Sequence, residues 1–274
     1  MSSLPVRYDQ IVFSGGGTRC FWHGGFMSVV GSYEDMAPER ICAVSGGALS
    51  GAAWISGRDE PLRRIMGRAF DRNASNVDPS SDNFTPHQEI YRDVVDETLD
   101  DASIEAIADG PAFQILLGRP PAGLPARAGA ALAIALYETD QQVRSTPHLR
   151  LPDAAGIEGV RVDARQAARD GRLVDLICAA ATIPPVFDIP QWEGAPVIDG
   201  GTVDKAPLPD PDEGSTLLLL TRIYRNLPEI DGRTYIQPSE AVDADKIDFT
   251  ERWKIDETWK QGEEDAKAWL GSAG

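Results

Sequence analysis

Histidine and cysteine are scarce in this chain, and long apolar runs are absent. The three histidines are His23, His87 and His148, and none follows residue 148. Any catalytic arrangement that needs a histidine late in the chain is excluded. The three cysteines, Cys20, Cys42 and Cys178, are an odd number in apolar surroundings, with no paired metal-ligand spacing. That excludes a disulfide framework or a zinc ligand set and predicts buried free thiols in a reducing compartment. No apolar run approaches the roughly 20 residues of a membrane-spanning helix. Met1–Arg7 is short and polar, without a signal-peptide core, so a cytoplasmic location is expected. Basic residues number 26 against 43 acidic ones, a formal net charge of −17. Such a chain repels nucleic acid and anionic surfaces at long range. The simplest reading is that this charge supports solubility; contact with a lipid surface would require a local apolar or basic patch.

What is present is an ordinary globular composition, 42% apolar and 25% charged, over 274 residues. That length suits one α/β unit with a sizeable core. Tyr8 to Ser14 reads as a strand and Arg19 to Tyr33 as a helix, whose Gly24 and Gly25 predict close packing against a neighbour. Ile41 to Val44 reads as a short strand, and Gly47 to Ser56 as a helix lined with small residues. Asp71 to Gln88 has a loop composition, and Glu89 to Leu99 has helical spacing. Ala131 to Tyr137 is strand-compatible, though its alanines leave a helix open. Leu173 to Ala181 reads as a buried helix stopping before Pro184-Pro185. Pro196 to Ile198 is a short strand, and Thr216 to Ile223 a buried one. Ile255, Trp259, Ala266, Trp269 and Leu270 fall near one helical face, as in a helix packed on the core. Strands alternating with helices predict a mostly parallel sheet, with sites gathered beyond the strands' carboxyl ends. Gly15, Ser45 and Asp199 each follow an apolar strand-like run.

Two glycine-rich clusters lie close together. Gly15-Gly16-Gly17-Thr18-Arg19 offers bare backbone N–H groups at a helix N-terminus, a setting that favours an anion. A structural turn and a nucleotide loop are the other readings, but Cys20 stands where a dinucleotide motif needs its last glycine. Ala43-Val44-Ser45-Gly46-Gly47 resembles a nucleophile elbow, with the small residues Ala43 and Gly47 two positions either side of the serine. A strand–turn–helix with a capping serine fits equally. Ser45 needs a base, and no late histidine exists. Asp199, in an Asp-Gly-Gly turn with Gly200, is the better partner. A free aspartate, with a pKa of about 3.9, is a poor base, so a direct hydrogen bond and a dry pocket would have to raise its basicity.

Together these blocks resemble the patatin-like phospholipase family. Gly15 to Arg19 is similar to its glycine-rich oxyanion motif, and Val44 to Leu49 to its nucleophile elbow. Ala179 to Pro184, Phe187, Asp199-Gly200-Gly201 and Ala206-Pro207-Leu208 form the third block. The resemblance spans residues 8 to 225. It implies a three-layer α/β/α fold with a mostly parallel sheet, in one domain over residues 1–274. Residues 226–274 would be a helical C-terminal extension. It also implies a serine acyl hydrolase with a Ser–Asp dyad. Ser45 would attack an ester carbonyl, Asp199 would take its proton, and the N–H groups of Gly15, Gly16 and Gly17 would hold the oxyanion. Arg19, Gly47 and Gly200 would support the site. Neither cofactor nor metal is implied, and no nucleic acid; the partner is a lipid acyl ester, met at a membrane surface. The chain departs from the family pattern at Ala43, Cys20 and Lys205, the last standing where asparagine is frequent. Those departures and the acidic tail keep open a patatin-fold binding or regulatory protein.

Overall fold

The computed structural model describes residues 7–33, 36–80 and 84–272. The expectations for Met1 to Val6, and for the middle of the Asp71–Gln88 loop, lie outside those residues. Strand β1 (Gln10–Phe13) runs through a 3-10 turn (Gly17–Cys20) into α1 (Phe21–Val30). Then come β2 (Arg40–Val44), α2 (Gly46–Ile55), α3 (Asp59–Arg72), α4 (His87–Thr98) and α5 (Asp101–Asp109). Next are β3 (Ala112–Arg119), α6 (Ala126–Arg144), α7 (Leu151–Ala154), β4 (Glu158–Asp163), α8 (Ala164–Arg169) and α9 (Leu173–Ala180). The short strands β5 (Gln191–Trp192) and β6 (Ala195–Pro196) form a hairpin before β7 (Ile198–Asp199), β8 (Thr216–Leu219), β9 (Arg233–Ile236) and α10 (Arg252–Ser272).

The main sheet has the order β4-β3-β2-β1-β8-β9. Its four central pairings are parallel, and β4 and β7 join β3 antiparallel. Alternation along each strand sorts the side chains by face. Ile11, Phe13, Ile41, Ala43, Leu217 and Leu219 join the large core under the helices, whereas Val12, Leu218 and Leu220 pack with Ala206 and Tyr224. α6 adds a smaller cluster, with Ala130 and Ala133 against Ile157 and Ile198.

Local sequence explains most elements. Leu62, Ile65, Met66 and Phe70 make one buried stripe on α3. Asp100 caps α5 by accepting the Ser103 N–H, and Asp163 caps α8 through the N–H groups of Arg165 and Gln166. The expected partner for Gly24 and Gly25 is α10. A Cβ on Gly25 would stand 1.9 Å from the Trp259 carbonyl oxygen, and one on Gly262 2.3 Å from that of Trp22. Ile255, Trp259 and Ala266 are buried there, as their spacing predicts.

One open reading is settled and three expectations need correction. Ala131 to Tyr137 lies inside helix α6, because Ala130, Ala133 and Tyr137 fall on its buried face at helical spacing. The strand expected over Thr216 to Ile223 stops at Leu219; beyond it the Thr221 hydroxyl donates to the Gly15 carbonyl at 2.9 Å. Cys20 and Cys42 are buried free thiols, but Cys178 is only half-buried. Residues 226–274 hold more than helix α10, since β9 is an edge strand of the main sheet.

Candidate active site

The site is set out along β3. Val44, the last residue of β2, pairs with Leu116, and β2 ends there. One rung on, β7 pairs with β3 antiparallel, and Asp199 is opposite Leu117. Ser45 and Asp199, 154 positions apart, are thereby brought to neighbouring rungs. The Ser45 Oγ–H donates to Asp199 Oδ2 at 2.7 Å, and both residues are 1% exposed.

Ser45 has φ +56° and ψ −138°, a backbone conformation that side chains rarely adopt. Strain of that kind costs of the order of 1–3 kcal/mol, is held by its surroundings, and is the geometry of a nucleophile elbow. The surroundings here are tight. A Cβ on Gly47 would stand 2.4 Å from the Phe13 carbonyl oxygen, and one on Gly15 3.0 Å from the Ser45 Cβ. The position expected to need a small residue at 47 does need one.

Asp199 is oriented by its own turn. Its Oδ1 accepts the Gly201 N–H at 2.7 Å, which leaves Oδ2 for the serine. Its N–H donates to the Thr182 carbonyl at 2.8 Å, and its carbonyl accepts the Thr202 hydroxyl at 2.8 Å. Gly200 lies against the Leu116 carbonyl, where a Cβ would stand at 2.2 Å.

The glycine loop faces this pair, with one difference from expectation. The Gly15 N–H is committed to the Lys205 carbonyl at 2.9 Å, because the turn after Asp199 folds that carbonyl onto it. The N–H groups of Gly16 and Gly17 donate to no other described residue. Gly46, the first residue of α2, also presents an N–H without an intrahelical acceptor. It follows the serine directly, a relation that could have been read from the elbow motif. Arg19 is half-buried on the 3-10 turn and makes no ion pair among the described residues.

All three histidines are engaged elsewhere. His23 Nε2–H donates to the Leu219 carbonyl at 3.1 Å, and His87 Nε2–H to that of Ile247 at 2.7 Å. His148 lies between Asp204 and the Tyr235 hydroxyl. Burial pulls His23 down to about 3. Burial also raises the thiols of Cys20, Cys42 and Cys178 above the ordinary thiol range, so none is a thiolate near neutral pH.

Two cavities meet at the serine–aspartate pair. The first, beside Ser45 and Gly46, is a narrow slot of about 50 Å³ with walls from Phe21, Leu49, Leu62, Met66, Phe249 and Trp259. Phe21 thus serves the slot while Trp22 belongs to the core, its Nε1–H donating to Asp265 Oδ2 at 2.7 Å. Asp59 is half-buried at this slot, and burial raises its carboxyl to about 7. The second cavity, about 220 Å³, has Asp199, Lys205, Lys246, Tyr137 and Glu138 in its walls. Lys246, Ile247, Phe249 and Trp259 come from the last 50 residues, where sequence reasoning found no site. The segment is tied down by hydrogen bonds from the Thr18 hydroxyl to the Asp245 carbonyl and from Lys254 to Asp248.

A strained, buried serine hydrogen-bonded to a carboxylate, beside backbone N–H groups on an α/β sheet, has the groups that acyl transfer requires. The patatin-like phospholipase family profile matches residues 11–212, and the chain belongs to that family, one of lipid acyl hydrolases in general. Among solved structures, VipD from Legionella pneumophila has the same fold, with a TM-score of 0.54 at 12% identity, covering 97% of this chain and 67% of VipD. Among curated protein sequences no match is found.

Proposed function

We propose that this protein is a serine acyl hydrolase that cleaves lipid acyl esters through Ser45 and Asp199. The observation that carries the reading is the 2.7 Å hydrogen bond between the two buried side chains, made by a serine at φ +56°. Ser45 Oγ attacks the ester carbonyl carbon while its proton passes to Asp199 Oδ2. The carbonyl oxygen, now an oxyanion, accepts hydrogen bonds from the N–H groups of Gly16, Gly17 and Gly46. Collapse of the tetrahedral species breaks the bond to the leaving oxygen, which takes the proton from Asp199. Water, deprotonated by Asp199, then attacks the acyl-Ser45 carbonyl; collapse breaks the bond to Ser45 Oγ, which takes the proton from Asp199, and the fatty acid leaves. Preorganised donors of this kind are worth roughly 10²–10³ in rate each. The apolar slot beside Ser45 suits the acyl chain, and the enzyme would work in the cytoplasm on a lipid surface.

The test is mass-spectrometric mapping of a fluorophosphonate adduct on wild type, Ser45→Ala and Asp199→Ala. An adduct at Ser45 that is lost in Ser45→Ala and falls sharply in Asp199→Ala is the expected result. Folded wild type without an adduct at Ser45 would leave a patatin-fold binding protein instead.

A further inference from the structure

The cavity on the Asp199 side is built unlike the apolar slot. Lys205 is 4% exposed, and its Nζ lies 4.3 Å from the Tyr137 ring centroid. Lys246, half-buried in the segment before α10, brings its Nζ to 5.2 Å from the same ring. Neither ammonium makes a hydrogen bond or an ion pair among the described residues. Asp199 and Glu138 share the cavity walls, but neither comes within ion-pair distance of either lysine. A Cβ on Gly201 would stand 2.6 Å from the Lys205 Nζ and 2.9 Å from Asp199 Oδ1, so the missing side chain at Gly201 lets the ammonium and the carboxylate close in on this turn.

Two cations sharing one ring, Lys205 buried and Lys246 half-buried, are costly without an anion, because like charges repel and both lose part of their hydration. Burial pulls both lysines below their ordinary range, and the charge of Lys205 adds to the effect on Lys246. The ring faces offset part of this cost. Asp199 also fixes which side of the ester occupies this cavity. If Asp199 returns its proton to the leaving oxygen, the alcohol portion must extend past Asp199, into the space walled by Lys205, Lys246 and Thr202.

We propose that Lys205 and Lys246 form a subsite for a phosphate monoester carried on the alcohol side of the scissile ester. The inference rests on the Ser45–Asp199 reading for its orientation. Two ammonium groups match the near-dianion that a phosphate monoester carries at pH 7 better than the single charge of a diester. The protein is acidic overall, so this pair supplies the local basic patch that an anionic substrate needs.

Two measurements test it. The first titrates inorganic phosphate into Ser45→Ala protein by calorimetry and needs no turnover. Saturable binding, weakened at least tenfold by adding Lys205→Met or Lys246→Met, is expected; thermal melts confirm that each variant is folded, and Lys205→Gln replaces Lys205→Met if the latter is not. Folded Ser45→Ala that binds no phosphate, or binds it equally after either lysine is replaced, overturns the subsite. The second compares acyl esters of matched chain length on glycerol phosphate, glycerol and a phosphocholine diester. In wild type the monoester should have the lowest KM, and Lys205→Met should raise that KM at least tenfold more than it changes the glycerol ester's. Equal KM values across the three esters overturn it. Phosphate binding without monoester preference would assign the pair to a free phosphate and overturn the substrate subsite. Absence of any Ser45 adduct would count against the hydrolase reading alone, since phosphate binding is read independently of it.

Discussion

Replacing Gly25 with alanine would show how far the C-terminal helix shapes the site. The new methyl group would stand 1.9 Å from the Trp259 carbonyl oxygen, 2.8 Å from its carbon and 3.1 Å from its Cα. All three are backbone atoms, so no rotamer change relieves the contact. A carbon–oxygen contact relaxes near 3.3 Å, so α1 and α10 must part by about 1.4 Å. Overpacking of this kind costs about 3 kcal/mol at its upper end. Alanine's better helix propensity returns about 1 kcal/mol. The net expectation is a loss of about 2 kcal/mol, or a fall in Tm of roughly 4–8 °C for a chain of this size. Gly271, in the same helix α10, provides a control of opposite sign, because nothing lies within 4 Å of its would-be Cβ. Gly271→Ala should leave stability unchanged or raise it by up to about 1 kcal/mol. Denaturant and thermal unfolding of both variants is the assay. Because Trp259 lines the slot beside Ser45, Gly25→Ala should also change the rate of fluorophosphonate labelling. A Gly25→Ala protein as stable as wild type would refute the close packing of the two helices.

Other expectations follow from the site and its surroundings. Asp199→Asn keeps the shape of the turn but removes the base, and should slow labelling of Ser45 by roughly 10² or more, measured as a pseudo-first-order rate. His23 is held at about 3 in the folded protein against 6.5 when exposed, so the unfolded chain takes a proton that the folded one refuses. Stability should therefore fall as pH drops from 6.5 towards 3, by at most about 1.4 kcal/mol per pH unit, and His23→Phe should flatten that limb in denaturant titrations. Asp59 has the opposite sign: raised from 3.8 to about 7, it keeps its proton when folded while the unfolded chain loses one. Stability should fall as pH rises from about 4 to about 7, and Asp59→Asn should remove that decline in the same titrations.

The candidate pair Ser45 and Asp199 and the tight glycine positions were legible because short-range sterics select them, whereas the commitment of the Gly15 N–H to Lys205 was not. An elbow at positive φ admits few neighbours, and the Phe13 carbonyl leaves only hydrogen at residue 47. The Asp-Gly-Gly turn carries its own orienting hydrogen bond, from the Gly201 N–H to Asp199. The absence of a late histidine pointed to the aspartate without any structure. Strand β3 was missed, although Phe113, Ile115 and Leu117 alternate with the strand period. It lies in a stretch of the chain with no chemical motif, and periodicity over so few residues does not stand out. Ala131 to Tyr137 was ambiguous for a related reason, since a run of alanines fits either period until the packing partner is known.

The sequence by itself determined the candidate groups and the tight turns, because those depend on atoms a few residues apart. Only the tertiary structure decided that β3 sets Ser45 and Asp199 on neighbouring rungs. It alone committed the Gly15 N–H to Lys205 and carried the segment from Lys246 to Trp259 over the site. The placing of Lys205 and Lys246 on one tyrosine ring was decided there too. Such pairings are chosen by the packing of the whole chain, where many segments compete for each partner, and no local pattern records which one wins.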